Sequence, residues 1–173
     1  NQLKIFSPKF VEIGVGDYSE CNTRYLFETK NINGLVIDIN ENLKKKLMKR
    51  VKLWRNDLKI LEKNVKPSNI NEILNTYNFD KDLDLFSLDI DGIDYWIIKQ
   101  LPKNFSKIAI IEYNSNFGSN TKITVPNIEN FDRTSYHFSN LCFGASLSAI
   151  IEIMEEKNFK FIGTNEFKCN SFF

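Results

Sequence analysis

Residues 9–17 read KFVEIGVGD, an apolar run that closes on Gly14-x-Gly16 and an acid, Asp17. The pattern predicts a buried strand turning tightly into a helix, the arrangement that holds nucleotide-like cofactors. Two completions differ chemically. One grips a dinucleotide by its pyrophosphate; the other grips S-adenosylmethionine, a cation with no phosphate.

The rhythm of apolar strand and helix continues outward from this turn. A helix is expected from Ser19, a suitable N-cap, through Phe27. GLVIDIN (34–40) predicts a second strand ending at Asp38. A lysine-rich helix follows, with Leu43, Leu47, Val51 and Trp54 at helical spacing around Lys44-Lys45-Lys46. LKILEKNV (58–65) predicts a third strand, and PSNINEILNTY (67–77) a helix with Ile70, Ile73, Leu74 and Tyr77 on one face. DLFSLDID (84–91) and KIAIIEYN (107–114) are the fourth and fifth strands, separated by a helix over 93–101 that Pro102 closes. Strands this apolar, alternating with helices, predict an α/β fold whose parallel sheet is covered on both faces.

Residues 115–143 carry no clear period and form a long irregular segment, the kind that shapes a binding site. Regularity returns in GASLSAIIEIMEEK (144–157), where Leu147, Ile150, Ile151 and Met154 make a helical stripe. FKFIGT (159–164) and KCNSFF (168–173) predict two last strands. With neither repeat nor linker, residues 1–173 read as a single domain.

A net charge of +1 gives no basic surface for nucleic acid or an anionic membrane. No apolar stretch approaches a membrane span and no signal peptide opens the chain, so a cytoplasmic location is expected. Cys21, Cys142 and Cys169 lack metal-ligand spacing, which suits free thiols in a reducing compartment.

In an open parallel sheet, ligands sit beyond the carboxyl ends of the strands. The residues there include Glu12, Asp17, Asp38, Glu62, Asp89, Asp91 and Glu112, with Lys63 as the one cation. An acidic rim suits a sulfonium and an ammonium better than a pyrophosphate. Ser19 also stands where the dinucleotide turn wants a third glycine or an alanine. Asp38 falls about 20 residues beyond the glycines, where an acid accepts from the ribose hydroxyls of either cofactor class.

Seven stretches together carry a family resemblance: EIGVGDYSECNTRYLF, GLVIDIN, LDIDGIDYWI, IAIIEYNSNFG, VPN, FGASLSAI and NSFF. The chain resembles class I S-adenosylmethionine-dependent methyltransferases, in particular the FkbM-like enzymes that often accompany bacterial surface-polysaccharide (capsule) biosynthesis. The resemblance implies a Rossmann-like fold with a seven-stranded, mostly parallel sheet, helices on both faces and an antiparallel last strand. It implies that Glu12, Gly14 and Gly16 line the methionine part of the cofactor, that Asp38 holds the ribose, and that Asp89 lies beside the methyl group. Because the chain starts almost at the first strand, an N-terminal lid helix is expected to be absent.

Methyl transfer to a hydroxyl needs a base or a metal to help the nucleophile. His137, the single histidine, is one candidate base. Asp91 and Glu112 are others, and with Asn114 they offer hard oxygen ligands for a divalent metal such as magnesium or manganese. Tyr95, Asn114 and Arg133 are candidate substrate contacts, the guanidinium of Arg133 suiting a phosphate or carboxylate. The expected acceptor is a small polar molecule, a sugar or phosphorylated glycan precursor, methylated on oxygen or nitrogen; a homo-oligomer is the protein partner left open. Two alternatives stand beside this: an NAD(P)-dependent oxidoreductase, and a methyltransferase-like partner subunit without turnover.

Overall fold

Alternate side chains of the central strands face two different cores. The computed structural model describes residues 8–30, 32–50, 57–118 and 120–173. In it, β1 (Lys9–Ile13) is followed by α1 (Arg24–Thr29), β2 (Asn33–Asp38) and α2 (Leu43–Arg50). Next come β3 (Leu58–Glu62), α3 (Ile70–Thr76), β4 (Leu85–Leu88), α4 (Asp94–Gln100) and β5 (Ile108–Glu112). The chain closes with α5 (Arg133–Tyr136), α6 (Leu147–Glu156), β6 (Gly163–Thr164) and β7 (Asn170–Phe172).

Val11, Ile13, Leu35, Ile37, Phe86 and Leu88 join the core under α3, α4 and α6. Their strand neighbours Phe10, Val36 and Leu85 join the smaller core with Phe27 of α1 and Leu43 and Leu47 of α2. This is the two-residue period of a strand buried on both sides. Phe10 meets Phe27 edge-on at 6.3 Å and Phe86 meets Phe105 at 5.1 Å; burying each such ring contributes roughly 1.5–3 kcal/mol. Val51 and Trp54, expected on the lysine-rich helix, lie outside the described residues.

The seven strands run in the order β3-β2-β1-β4-β5-β7-β6. The first five are parallel, and β7 pairs antiparallel with both β5 and β6. The seven-stranded, mostly parallel α/β sheet expected from the sequence is therefore present. Chain order reverses between β1 and β4, the switch point where a crevice opens above the strand ends. Among the described residues no helix is long and apolar enough to cross a membrane.

Of the boundaries that differ from the sequence expectation, three have a plain local cause. The first helix starts at Arg24, not after Ser19, because Tyr18 turns inward at φ +63 and bonds Thr23 Oγ1 through its hydroxyl at 3.0 Å. Strand β4 stops at Leu88, where the backbone bends into a loop with Asp91 at φ +54. Only Gly163 and Thr164 of 159–164 pair as strand, since Phe159 stays on the helix end through its N–H to Met154 O, 2.9 Å.

Candidate active site

The turn after β1 fits tightly against the end of β4. Gly14 takes φ +84, and a Cβ there would sit 1.5 Å from the Asp89 carbonyl oxygen. Glycine is thus required by backbone contact as well as by conformation. Gly16 follows at φ +57 and donates its N–H to Asp38 Oδ2 at 2.7 Å, while Asp38 Oδ1 accepts from Asn40 N at 2.8 Å. Those two bonds fix the acid at the end of β2 with its carboxylate edge on the crevice.

That crevice encloses about 620 Å³, within the usual range for a cofactor or small-molecule site. Gly14, Gly16, Asp38, Asp89, Asp91 and Arg133 all line it, so six of the residues singled out in the sequence converge. Seven carboxylates face it against two cations, Lys63 and Arg133. Glu129 and Asp132, both from the irregular segment, belong to that count and carry no local sequence signal. They reach the site only because the segment folds back over the strand ends.

Below the crevice lies a group of carboxyls that shape the loop after β4. Asp94 is fully buried and accepts from Ile90 N and Gly92 N, each at 3.0 Å. It is Asp94, therefore, that ties this loop. Burial pushes the Asp94 carboxyl up to about 6 against the lowering effect of those bonds. Burial, then the nearby Asp94, raises Asp89 to about 7. Glu112 is raised much further by burial and by the charges of Asp94, Asp89 and Asp91, so it carries a proton at neutral pH and shares it in a hydrogen bond with Asp89. Its Oε2 also accepts from Asp91 N at 3.2 Å.

The oxygens of Asp89, Asp91 and Glu112 come within 4.8 Å of one another, and hard ligands of this type suit magnesium or manganese. Their charge is already met within the protein. Glu112 holds a proton shared with Asp89, and Asp91 is paired with Arg133. A divalent metal at Asp91 and Glu112 would release that proton and draw Asp91 from Arg133, and these three carboxyl groups are the ones that would hold it.

The other expected residues take different places. Glu12 does not line the crevice; it is 2% exposed and accepts from Asn22 N (2.7 Å), Thr23 N (3.1 Å) and Thr23 Oγ1. Its carboxyl group anchors the turn that leads into α1, accepting from the backbone of Asn22 and Thr23 just ahead of the first helical residue. Asn114 is buried, with Nδ2 on the carbonyls of Leu141 (2.8 Å) and Phe143 (2.9 Å) and Oδ1 on Asn116 N. It clasps the end of the irregular segment onto β5. Tyr95 packs edge-on against Trp96 at 5.3 Å, in the field of Glu156 and Glu152, away from the crevice. His137 is exposed, with Nδ1 against Ser139 Oγ at 2.8 Å and its ring beside Phe138.

The methyltransferase FkbM domain matches residues 2–161. The chain belongs to this family. No curated protein sequence matches. Solved structures of LepI, one with SAH and a substrate analogue and one with SAM, are similar to this FkbM-domain chain with TM-score 0.49 and 10% identity. Each comparison covers 98% of this chain and 42% of the LepI chain, so the chain spans well under half the length of LepI. A structure described as a pericyclic reaction enzyme is similar at the same score and identity over 97% of the chain.

Proposed function

We propose that the protein is an S-adenosylmethionine-dependent methyltransferase acting on an oxygen or nitrogen of a small polar acceptor. A sugar or phosphorylated precursor of a capsular or other surface polysaccharide is the acceptor class. The observation that carries this reading is the crevice itself, with seven carboxylates facing about 620 Å³ at the β1–β4 switch of an FkbM methyltransferase domain. A cofactor bearing a sulfonium and an ammonium suits that lining; a pyrophosphate would meet repulsion on most sides.

When bound, S-adenosylmethionine supplies a methyl group whose bond to sulfur breaks as the bond to the acceptor forms. Asp38 would hold the ribose hydroxyls through the oxygen lone pairs that Gly16 and Asn40 leave open. The glycine turn would let backbone approach the methionine part, with Asp89 beside it at the end of β4. Asp91 takes the proton that the acceptor loses, because its carboxylate opens to the crevice whereas protonated Glu112 is acceptor-poor. Glu112 positions Asp91 through the bond to its N–H.

Calorimetry separates this from the nicotinamide alternative. S-adenosylhomocysteine is expected to bind and NAD(P) is not. Tight NAD(P) binding with no response to S-adenosylmethionine or S-adenosylhomocysteine would overturn the reading.

A further inference from the structure

Arg133 stands out in a crevice otherwise built for positive charge. It belongs to the four-residue helix α5, inside the irregular segment, and its guanidinium lies 5.0 Å over the ring of Phe143. The ring backs one face of the guanidinium. Its edge reaches Asp91 Oδ1 through Nη1, and among the described residues that is the one hydrogen bond the side chain makes. Four of the five N–H donors of an arginine are then left for something else.

The segment that carries Arg133 lies across the crevice like a strap. At its start Val125 bonds Gly144 O through its N–H at 3.1 Å and accepts from Trp96 Nε1 at 2.7 Å. At its end Asn114 holds the carbonyls of Leu141 and Phe143. Between those anchors, Glu129 pairs with Lys66 at 3.1 Å and Phe131 packs beside Gly92. Asp91 and Arg133 complete the fastening, with side chains 46% and 37% exposed. Ion pairs this open to solvent contribute little net stability and exchange readily.

The pair also blocks both partners. While Arg133 holds Oδ1 of Asp91, that oxygen is occupied on the side where a methyl acceptor has to sit. A dianionic or carboxylate group matches the free fork of the guanidinium far better than a single carboxylate oxygen does, because it accepts two parallel N–H bonds. We infer that Arg133 is the anchor for an anionic group of the acceptor, a phosphate or a carboxylate, and that Asp91 is its internal placeholder. Arrival of the anion takes Arg133 from Asp91 and frees that carboxylate to accept a hydrogen bond from the acceptor's nucleophile. This rests on the methyltransferase reading for the identity of the acceptor end of the crevice, but the anion site itself does not require it. Lys63, the other cation of the lining, sits just after β3 and takes no part in the exchange.

The two sides of the exchange predict effects of opposite sign. Inorganic phosphate is titrated calorimetrically into the full chain, with and without saturating S-adenosylhomocysteine, circular dichroism confirming the fold of each variant. Wild type binds phosphate in the millimolar range; Arg133→Gln weakens it by about tenfold or more, and Arg133→Lys by a smaller factor as the fork is lost. Asp91→Asn, which removes the competing charge, tightens phosphate by about threefold to tenfold. Phosphate binding that ignores Arg133→Gln, weakens in Asp91→Asn, or is undetectable in wild type overturns the inference. If Arg133→Gln instead lowers affinity for S-adenosylhomocysteine by about tenfold, the guanidinium serves the cofactor's carboxylate and the inference also fails. Should wild type bind no S-adenosylhomocysteine at all, the cofactor reading falls while the phosphate series still decides the role of Arg133.

Discussion

Asp89 is the residue whose environment has most to say about pH. Its carboxyl is raised from 3.8 to about 7, chiefly by burial and then by Asp94. A carboxyl with a raised folded pKa binds its proton more tightly folded than unfolded. Its contribution therefore favours the folded state at low pH and is lost as pH rises through 7. Asp89→Asn, neutral at every pH, is expected to flatten the fall in melting temperature between about pH 4 and pH 7. An unchanged profile would show that the group ionises freely in the fold. Asp91 and His137 give the catalytic counterpart. Asp91→Ala is expected to lower methyl transfer to a sugar phosphate by about 100-fold or more, with His137→Ala within about twofold of wild type. Initial rates in one assay settle the comparison, and a large loss in His137→Ala alone would move the base to the strap. The sequence made the two equally visible as candidates. Only tertiary packing separates them, because Asp91 opens to the crevice while His137 is turned to solvent on Ser139.

The glycine turn acts at the scale of the element, and its two glycines have different reasons to be there. At Gly14 a Cβ would meet the Asp89 carbonyl at 1.5 Å and the backbone is at φ +84. At Gly16 the space is open and only φ +57 disfavours a side chain. Gly14→Ala should therefore destabilise by about 3 kcal/mol or more, and Gly16→Ala by about 1–2 kcal/mol, in urea denaturation. Equal effects would contradict the close approach of β1 and β4. Strands of this kind were legible, since their apolar runs and bounding glycines follow from burial on both faces. The start of α1 was not legible. A serine at 19 looks like a cap, but the backbone just ahead of α1 is held instead by Glu12, ten residues away from Asn22 in sequence and brought to it by the inward turn of Tyr18. Local pattern cannot register an acceptor supplied by another element.

For the whole molecule, sheet order decides the site. The order β3-β2-β1-β4-β5-β7-β6 places the glycine turn, the β2 acid and the β4 loop around one opening. The acidic rim was visible in the sequence because it lies at strand ends, where one-dimensional order and three-dimensional position coincide. The strap was not, because 115–143 has no period; Arg133 could be singled out, but not its pairing with Asp91 across 42 residues. Asn114 and Tyr95 illustrate the converse, as polar side chains near the strand ends that packing and backbone bonds draw away from the opening. In the proposed function this opening binds S-adenosylmethionine with its methyl group toward Asp91. A crystal structure of the chain with S-adenosylhomocysteine tests it most directly. Ribose hydroxyls on Asp38, the methionine part over Gly14 and Gly16, and sulfur facing Asp91 are the predicted result; a ligand bound elsewhere, or sulfur turned away from Asp91, would contradict the account.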